Sequence, residues 1–431
     1  MPVESGVGRE RQNVIYRAGI ADGRPAVPTD YAELERRAHA AMSEKAWAYV
    51  AGGAGEGSTM VANRRALDRW KIVPRVLRDV SQRSLAVDLF GQRLPAPLLV
   101  SPVGAGGLVA RNADVTIGKA AASLGLPYIF SNQGSAPMED VAAAMDAVSP
   151  GAPRWFQLYW SVDEQLVDSF LNRAEAMGAA AIAVTLDTTM LGWRPQDLNL
   201  GSLPFARGEG IAQYTRDPRF RAIVDERVAN PDPDAASPKP SVGAIKTLAS
   251  IARNAPGNWW RNLVDKHPRA AVETFLEIYS RPSLSWADIE DLRARTPLPI
   301  VLKGVLHPDD ARHAVDIGVD GIIVSNHGGR QVDGAIGSID ALVDVVDAVG
   351  GRTKILVDSG VHTGSDVFKA LALGADAACI GRAHMYGLAV AGETGVREVL
   401  TNIAAELDLT LGLSGHTDVA ALDRGALKEI G

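Results

Sequence analysis

Gly321-Ile322-Ile323-Val324-Ser325-Asn326-His327-Gly328-Gly329-Arg330-Gln331 is an apolar, β-branched run that ends in a histidine, two glycines and an arginine. It reads as a buried strand that delivers its chemistry at its C-terminal tip. The imidazole can change charge near neutral pH, and the arginine that follows carries a permanent charge on a planar donor fork. The glycines between them let the backbone turn sharply or approach a ligand closely. Alone, the segment is more simply a core histidine and a surface arginine after an ordinary strand, so the rest of the chain decides.

Outward from this stretch the same pattern repeats. Short apolar runs at 97–102, 128–131, 155–159, 181–187, 300–303, 355–358 and 377–381 alternate with helix-length segments. The segments 112–124, 162–177, 309–317 and 366–373 carry clear helical signals and end at Gly125, Gly178, Gly318 and Gly374. With the opening stretch this makes eight βα units, the pattern of an α/β protein built as a parallel (β/α)8 barrel, a TIM barrel. A doubly wound sheet would want a dinucleotide fingerprint after its first strand, and Gly104-Ala105-Gly106-Gly107 lacks that spacing.

The flanks divide accordingly, within a single domain over 1–431. Residues 1–95 form an N-terminal cap: a helix over 28–48, the glycine-rich loop Gly52-Gly53-Ala54-Gly55, a second helix over 59–69 and a hairpin at 85–92. No strand precedes that loop and no Lys-Ser/Thr follows it, so a nucleotide loop is a weak reading. The barrel occupies 96–390, and residues 391–431 look helical, ending with a helix over 423–430. More than a hundred residues separate Asp187 from Ile300, with an insertion over about 198–285. Because it leaves the end of the fourth strand it lies at the active-site face. A lid over the substrate and a partly disordered elaboration are equally compatible with its polar linker at 230–241 and its helical stretch at 245–253. Trp259-Trp260 is expected to pack against the barrel.

Composition narrows the function. The chain has 431 residues, 46% hydrophobic and 22% charged, enough to bury a large core. Its formal net charge of -7 comes from interspersed charges, which excludes the basic stripe of a nucleic-acid binder. The only cysteine, Cys379, lies in an apolar run and reads as a small core residue in a reducing compartment. Residues 1–19 lack an apolar signal region and no run reaches membrane-spanning length, so a cytoplasmic location without membrane contact is expected.

In a barrel of this kind the C-terminal strand ends share one mouth. Here they bring Gly104, Ser131, Gln133, Gln157, Tyr159, Thr185, Asp187, Arg194, Lys303, Ser325, His327, Arg330, Asp358, Ser359, Gly360, Gly381 and Arg382. Two arginines and a histidine suit a carboxylate substrate: each guanidinium grips a carboxylate, while the imidazole removes a proton from the adjacent carbon or its hydroxyl. Asp187 is placed to raise the imidazole's proton affinity and fix its tautomer. Gly360 and Gly381-Arg382 follow strands seven and eight, where barrels commonly bind phosphate, so a phosphorylated redox cofactor is expected across the mouth, with Lys303 beneath its ring. The other histidines form no metal-ligand cluster with His327.

Ser325-Asn326-His327-Gly328-Gly329-Arg330-Gln331-Val332-Asp333-Gly334 resembles the signature of the FMN-dependent L-2-hydroxy acid oxidising enzymes, and the resemblance covers nearly the whole chain. Matching segments include Tyr49-Val50-Ala51-Gly52-Gly53, Phe156-Gln157-Leu158-Tyr159, Thr185-Leu186-Asp187-Thr188, Gly192-Trp193-Arg194-Pro195 and Leu302-Lys303-Gly304. The resemblance implies His327 as catalytic base supported by Asp187, Arg194 and Arg330 on the substrate carboxylate, and Tyr49 and Tyr159 hydrogen-bonding the substrate. It implies that FMN is held by Gly104, Ser131, Gln157, Thr185, Ser325, Asp358, Gly360, Gly381 and Arg382, with Lys303 facing the flavin N1/O2 edge. It also implies O2 as a co-substrate and a homo-oligomer, a tetramer or octamer.

Within that family the chain looks most like lactate 2-monooxygenase, through Gly192-Trp193-Arg194-Pro195-Gln196-Asp197-Leu198, Leu203-Pro204-Phe205, the long insertion and Gly104. It departs from the family pattern at His362, where a phosphate-binding arginine is usual, and at Asn132-Gln133-Gly134, where more apolar residues line the pocket. Gln133 points to a substrate other than lactate. The competing functions are a flavin-dependent isomerase, an FMN-binding barrel without hydroxy acid chemistry and a non-enzymatic scaffold.

Overall fold

A computed structural model describes residues 6–231 and 241–430. In chain order its strands are β1 (Trp70–Ile72), β2 (Val87–Leu89), β3 (Gln92–Leu94), β4 (Leu98–Val100), β5 (Tyr128–Phe130), β6 (Arg154–Leu158), β7 (Ile182–Thr185), β8 (Ile300–Val305), β9 (Gly321–Val324), β10 (Lys354–Val357), β11 (Ala377–Ile380) and β12 (Leu427–Glu429). Strands β4 to β11 close into a barrel of eight, each parallel to its neighbour, and β11 pairs with β4 through Ala378↔Leu98 to Ile380↔Val100. The eight expected strands are therefore all present.

Alternation along each strand divides the core in two. Leu99, Ile129, Trp155, Ala183, Val301, Ile323, Leu356 and Cys379 point into the barrel and touch one another. Their sequence neighbours, such as Leu98, Tyr128, Phe156, Ile182, Leu302 and Ile322, pack outward against the ring of helices. The hairpin β2–β3 plugs the N-terminal end of the barrel with Leu89 and Leu94, and Phe90 packs against Trp155 at 5.3 Å. At the other end the same inward alternation runs on into Ser101, Ser131, Gln157, Thr185, Lys303, Ser325 and Asp358.

Three expectations need correction. The helix expected over 28–48 is two helices, Tyr31–Ala41 and Glu44–Ala51, because Met42 is extended and the Ser43 hydroxyl caps the second by accepting the Ala46 N–H. The helix expected over 423–430 is a short turn and β12, which pairs antiparallel with β1. Local composition favours a helix there, but the backbone partner lies more than three hundred residues earlier in the sequence. Trp259 and Trp260 pack on each other at 4.1 Å and stay 42% and 67% exposed rather than covering the barrel.

After β7 the inserted segment supplies the helices Pro195–Asn199, Ala212–Arg216, Pro218–Ala229, Val242–Asn254, Trp259–Asn262 and His267–Ile278 before the barrel helix Trp286–Arg295. It is anchored by buried aromatic edges, Tyr214 on Phe275 at 4.7 Å and on Phe170 of the barrel at 5.0 Å. The Arg173–Asp217 ion pair at 3.0 Å ties it further to the barrel helix Glu164–Ala176. Most of the linker expected at 230–241 lies outside the described residues. Among the described residues no helix is long and apolar enough to cross a membrane.

Candidate active site

The opening stretch folds as read: β9 ends at Val324, and Ser325 to Arg330 turn across the barrel mouth. His327 sits in the left-handed region at φ 55, uncommon for a side chain of its size, and Gly328 and Gly329 follow at φ 64 and 75. The turn is held from both sides. The Ser325 hydroxyl accepts the His327 N–H at 3.0 Å, and the Ser359 hydroxyl accepts that of Gly328 at 2.9 Å. Opposite, the glycine-rich loop zips onto it, Ala54 N–H donating to the Gly329 carbonyl at 2.8 Å. That loop therefore meets another backbone rather than a phosphate. Asp333 completes the assembly by accepting the backbone N–H groups of Glu56 and Thr59 at the start of helix Ser58–Arg69.

His327 Nδ1 lies 2.8 Å from Asp187 Oδ1, which fixes the tautomer with Nδ1–H donating and leaves the Nε2 lone pair free. Asp187 raises the proton affinity of His327 as expected from sequence, but burial outweighs it and lowers the pKa, so the ring stays neutral at pH 7. Asp187 is held well below the usual carboxylate range by His327 and Lys303, against the opposing effect of its burial. Its other oxygen, Oδ2, is buried and has no hydrogen-bond partner among the described residues. Lys303 Nζ donates to Ser325 Oγ at 2.8 Å and stands 3.1 Å from Asp358. Burial alone would strip its proton, but Asp358 and Asp187 reverse the sign and keep it cationic.

Across the cleft, Arg194 Nε donates to the Arg330 carbonyl at 3.1 Å and its Nη2 to Gln331 Oε1 at 2.6 Å. The Arg330 guanidinium lies 5.0 Å above the Tyr49 ring and donates to the Gly52 carbonyl at 2.8 Å. Among the described residues its Nη2 is buried without a hydrogen-bond partner, and the nearest carboxylate, Asp197, is 3.9 Å away. Burial and Arg194 press its pKa down to about 9, so it remains a cation at neutral pH with an unused donor. Burial raises the pKa of both Tyr49 and Tyr159, so their hydroxyls are donors.

These groups line one cleft of about 1060 Å³, its open mouth included. Of the residues anticipated from sequence, Tyr49, Gly104, Gln133, Tyr159, Arg194, Lys303, His327, Arg330, Asp358, Gly360, Gly381 and Arg382 are on its wall. Ser131, Gln157, Thr185 and Ser325 are buried and not on that wall, and Asp187, half-buried, meets the cleft through His327. Ser131 donates to Gln157 Oε1 at 3.2 Å, and Gln157 Nε2 donates to Thr185 Oγ1 at 2.9 Å. Asn132 lies off the wall, its Oδ1 accepting the Tyr214 hydroxyl at 2.7 Å. The insertion contributes Leu191, Arg194, Phe205 and Tyr279, so it walls the cleft rather than merely decorating the surface. Sequence reading missed Ser101, whose buried Oγ has no partner among the described residues; continuing the inward alternation from Leu99 would have found it.

The donor set fits a flavin mononucleotide. A redox ring that gains negative charge on reduction needs a buried cation, which Lys303 supplies, and its polar edge needs partners, which the unpaired Ser101 hydroxyl and the Gln157–Thr185 pair offer. Gly360 and Gly381, after β10 and β11, line the same cleft where barrels commonly bind phosphate.

The family model for FMN-dependent dehydrogenases matches residues 38–429. An FMN-dependent alpha-hydroxy acid dehydrogenase of Penicillium citrinum is 42% identical over 97% of this chain and 95% of its own length. An L-lactate oxidase of Lysinibacillus sphaericus is 40% identical over 92% and 91% of the two chains. The crystal structure of mandelate oxidase with (S)-4-hydroxymandelic acid superposes with a TM-score of 0.75 at 34% identity, covering 93% of this chain and 98% of that one. With the closed barrel, the buried lysine and the histidine–aspartate pair in one cleft, this chain belongs to the FMN-dependent dehydrogenase family.

Proposed function

We propose that the protein oxidises a small L-2-hydroxy acid to the 2-keto acid. One observation carries the reading: a neutral His327, oriented by Asp187, lines the same cleft as the guanidinium groups of Arg194 and Arg330. The two arginines take the substrate carboxylate, Arg330 through its unused Nη2. Tyr49 and Tyr159 donate from their hydroxyls to the substrate oxygens. Nε2 of His327 removes one proton, and Asp187 stabilises the imidazolium that results. FMN, when bound, takes up the two electrons that leave the carbinol carbon. Gly104, Ser131, Gln157, Thr185, Lys303, Ser325, Asp358, Gly360, Gly381 and Arg382 hold it.

The finer reading is a lactate 2-monooxygenase-like enzyme that consumes O2 and releases the decarboxylated acid. It draws on Gly192 to Leu198, Gly104 and the inserted segment's Phe205 and Tyr279 on the cleft wall. A cytoplasmic homotetramer is part of the same reading. Incubation with a panel of 2-hydroxy acids under oxygen, with peroxide, keto acid and decarboxylated acid measured together, tests it. Decarboxylated acid without free peroxide is expected; peroxide with keto acid would make the enzyme an oxidase, and turnover only with a dye a dehydrogenase. No flavin bleaching with any 2-hydroxy acid would refute the whole assignment.

A further inference from the structure

At the end of the cleft that receives the cofactor phosphate, Gly360 and Gly381 are joined by a histidine. His362 lies on the cleft wall with its ring stacked flat on Tyr31, centroids 3.6 Å apart and planes within 5°. The stack fixes the ring plane, and among the described residues neither ring nitrogen has a hydrogen-bond partner. A half-buried ring with a fixed plane and free nitrogens on a cleft wall is placed to meet a ligand that enters the cleft.

The surrounding charges say what. From helix Ser58–Arg69, Arg64 pairs with Asp366 at 2.8 Å and also donates to the Gly360 carbonyl, so its charge is balanced. From helix Gly364–Ala372, Asp366 accepts both Arg64 and the backbone N–H of His362. From helix Arg382–Leu413, Arg382 donates to the carbonyls of Val50, Gly328 and Gly52 and to the Met60 sulfur, so among the described residues its charge meets no carboxylate. From helix Tyr31–Ala41, Tyr31 stacks on the ring, and Glu35 accepts the Tyr386 hydroxyl instead of facing the imidazole. One net cation, Arg382, therefore faces a phosphate monoester that carries nearly two negative charges at pH 7.

We propose that His362 supplies the second charge by taking up a proton as the FMN phosphate binds, so that cofactor loading in this chain is proton-coupled. Without the phosphate, burial and the positive charges of Arg64 and Arg382 hold the His362 pKa down to about 3. A dianion at hydrogen-bonding distance acts in the opposite direction and favours the imidazolium. The inference rests on FMN being the cofactor and on its phosphate lying at the ends of β10 and β11.

Diluting the holoprotein between pH 7 and 8.5 and following released FMN by its fluorescence tests it. In this window the phosphate itself is largely dianionic, so its own ionisation contributes little. The dissociation constant is expected to rise with pH by up to about tenfold per unit, the limit for one linked proton. Riboflavin, which lacks the phosphate, should show no such slope. His362→Gln should lose the slope and bind FMN more weakly, while His362→Arg, with a permanent charge, should bind tightly at every pH. A slope unchanged in His362→Gln, or shared by riboflavin, would overturn the proposal while leaving the FMN assignment intact. Failure of the wild-type chain to hold FMN at any pH would refute both.

Discussion

His327 and Asp187 meet at 2.8 Å although they leave different, non-adjacent strands, β9 and β7, so their contact spans the end of β8 that carries Lys303. The base, its orienting carboxylate and the cation under the cofactor are thereby fixed relative to one another by three consecutive strands of the sheet.

Removing the base is expected to abolish turnover without emptying the site. In His327→Gln, kcat should fall by about 10²- to 10⁴-fold, the usual contribution of a positioned acid or base. The flavin spectrum should persist, and rapid mixing with substrate under anaerobic conditions should show correspondingly slow bleaching.

The pH profile follows from the same pair. His327 acts when unprotonated, and burial lowers its pKa below 6.5, so kcat/KM should stay level through neutrality and fall only on the acid side of 6.5. Asp187 opposes that lowering. Asp187→Asn should therefore move the acid limb to still lower pH while reducing the plateau, because the tautomer is no longer fixed. A limb that moves to higher pH would contradict the arrangement.

Arg330 is expected to act on binding and transition state together. Arg330→Met leaves the substrate carboxylate without its donor, while the Gly52 carbonyl keeps Arg382, a loss of about 2–5 kcal/mol, or roughly 30- to several thousand-fold in kcat/KM. Arg330→Lys should recover little, since a single ammonium cannot serve both partners in the fork geometry. Steady-state kinetics with flavin occupancy measured in parallel would separate this from cofactor loss.

Gly304 is predicted to be intolerant for a reason specific to the site. It lies at φ 107, and an added Cβ would come within 2.8 Å of Asp187 Cβ. Gly304→Ala should cost about 1–3 kcal/mol of stability from the backbone conformation. It should also lower kcat beyond that loss by displacing Asp187 from His327. A melting curve alongside kcat distinguishes the two effects.

The barrel was legible because buried parallel strands are short β-branched runs with little competing periodicity, and because Gly125, Gly178, Gly318 and Gly374 end the helices between them with positive φ. The site was legible to the extent that polar residues stood at strand ends. Ser101 hid behind a run that reads as the end of an apolar strand, and only the inward parity from Leu99 reveals it. The effect of Asp187 on His327 is visible in sequence, whereas the burial that outweighs it is not. Arg382, expected on the cofactor, spends three of its donors on the carbonyls of Val50, Gly52 and Gly328, a backbone arrangement that no spacing rule announces.

The pairing of β1 with β12, Trp70↔Glu429 to Ile72↔Leu427, has a consequence for biosynthesis. Translation delivers the eight barrel strands in order, yet β4 waits for β11 to close the ring and β1 waits longer still for β12. Until Leu427–Glu429 emerge, β1 offers an unpaired edge, the kind of surface on which nascent chains associate with one another. A ribosome-bound chain halted after Ala421 should hold every barrel strand and still be captured by holdase chaperones, whereas release of the next nine residues should end that capture.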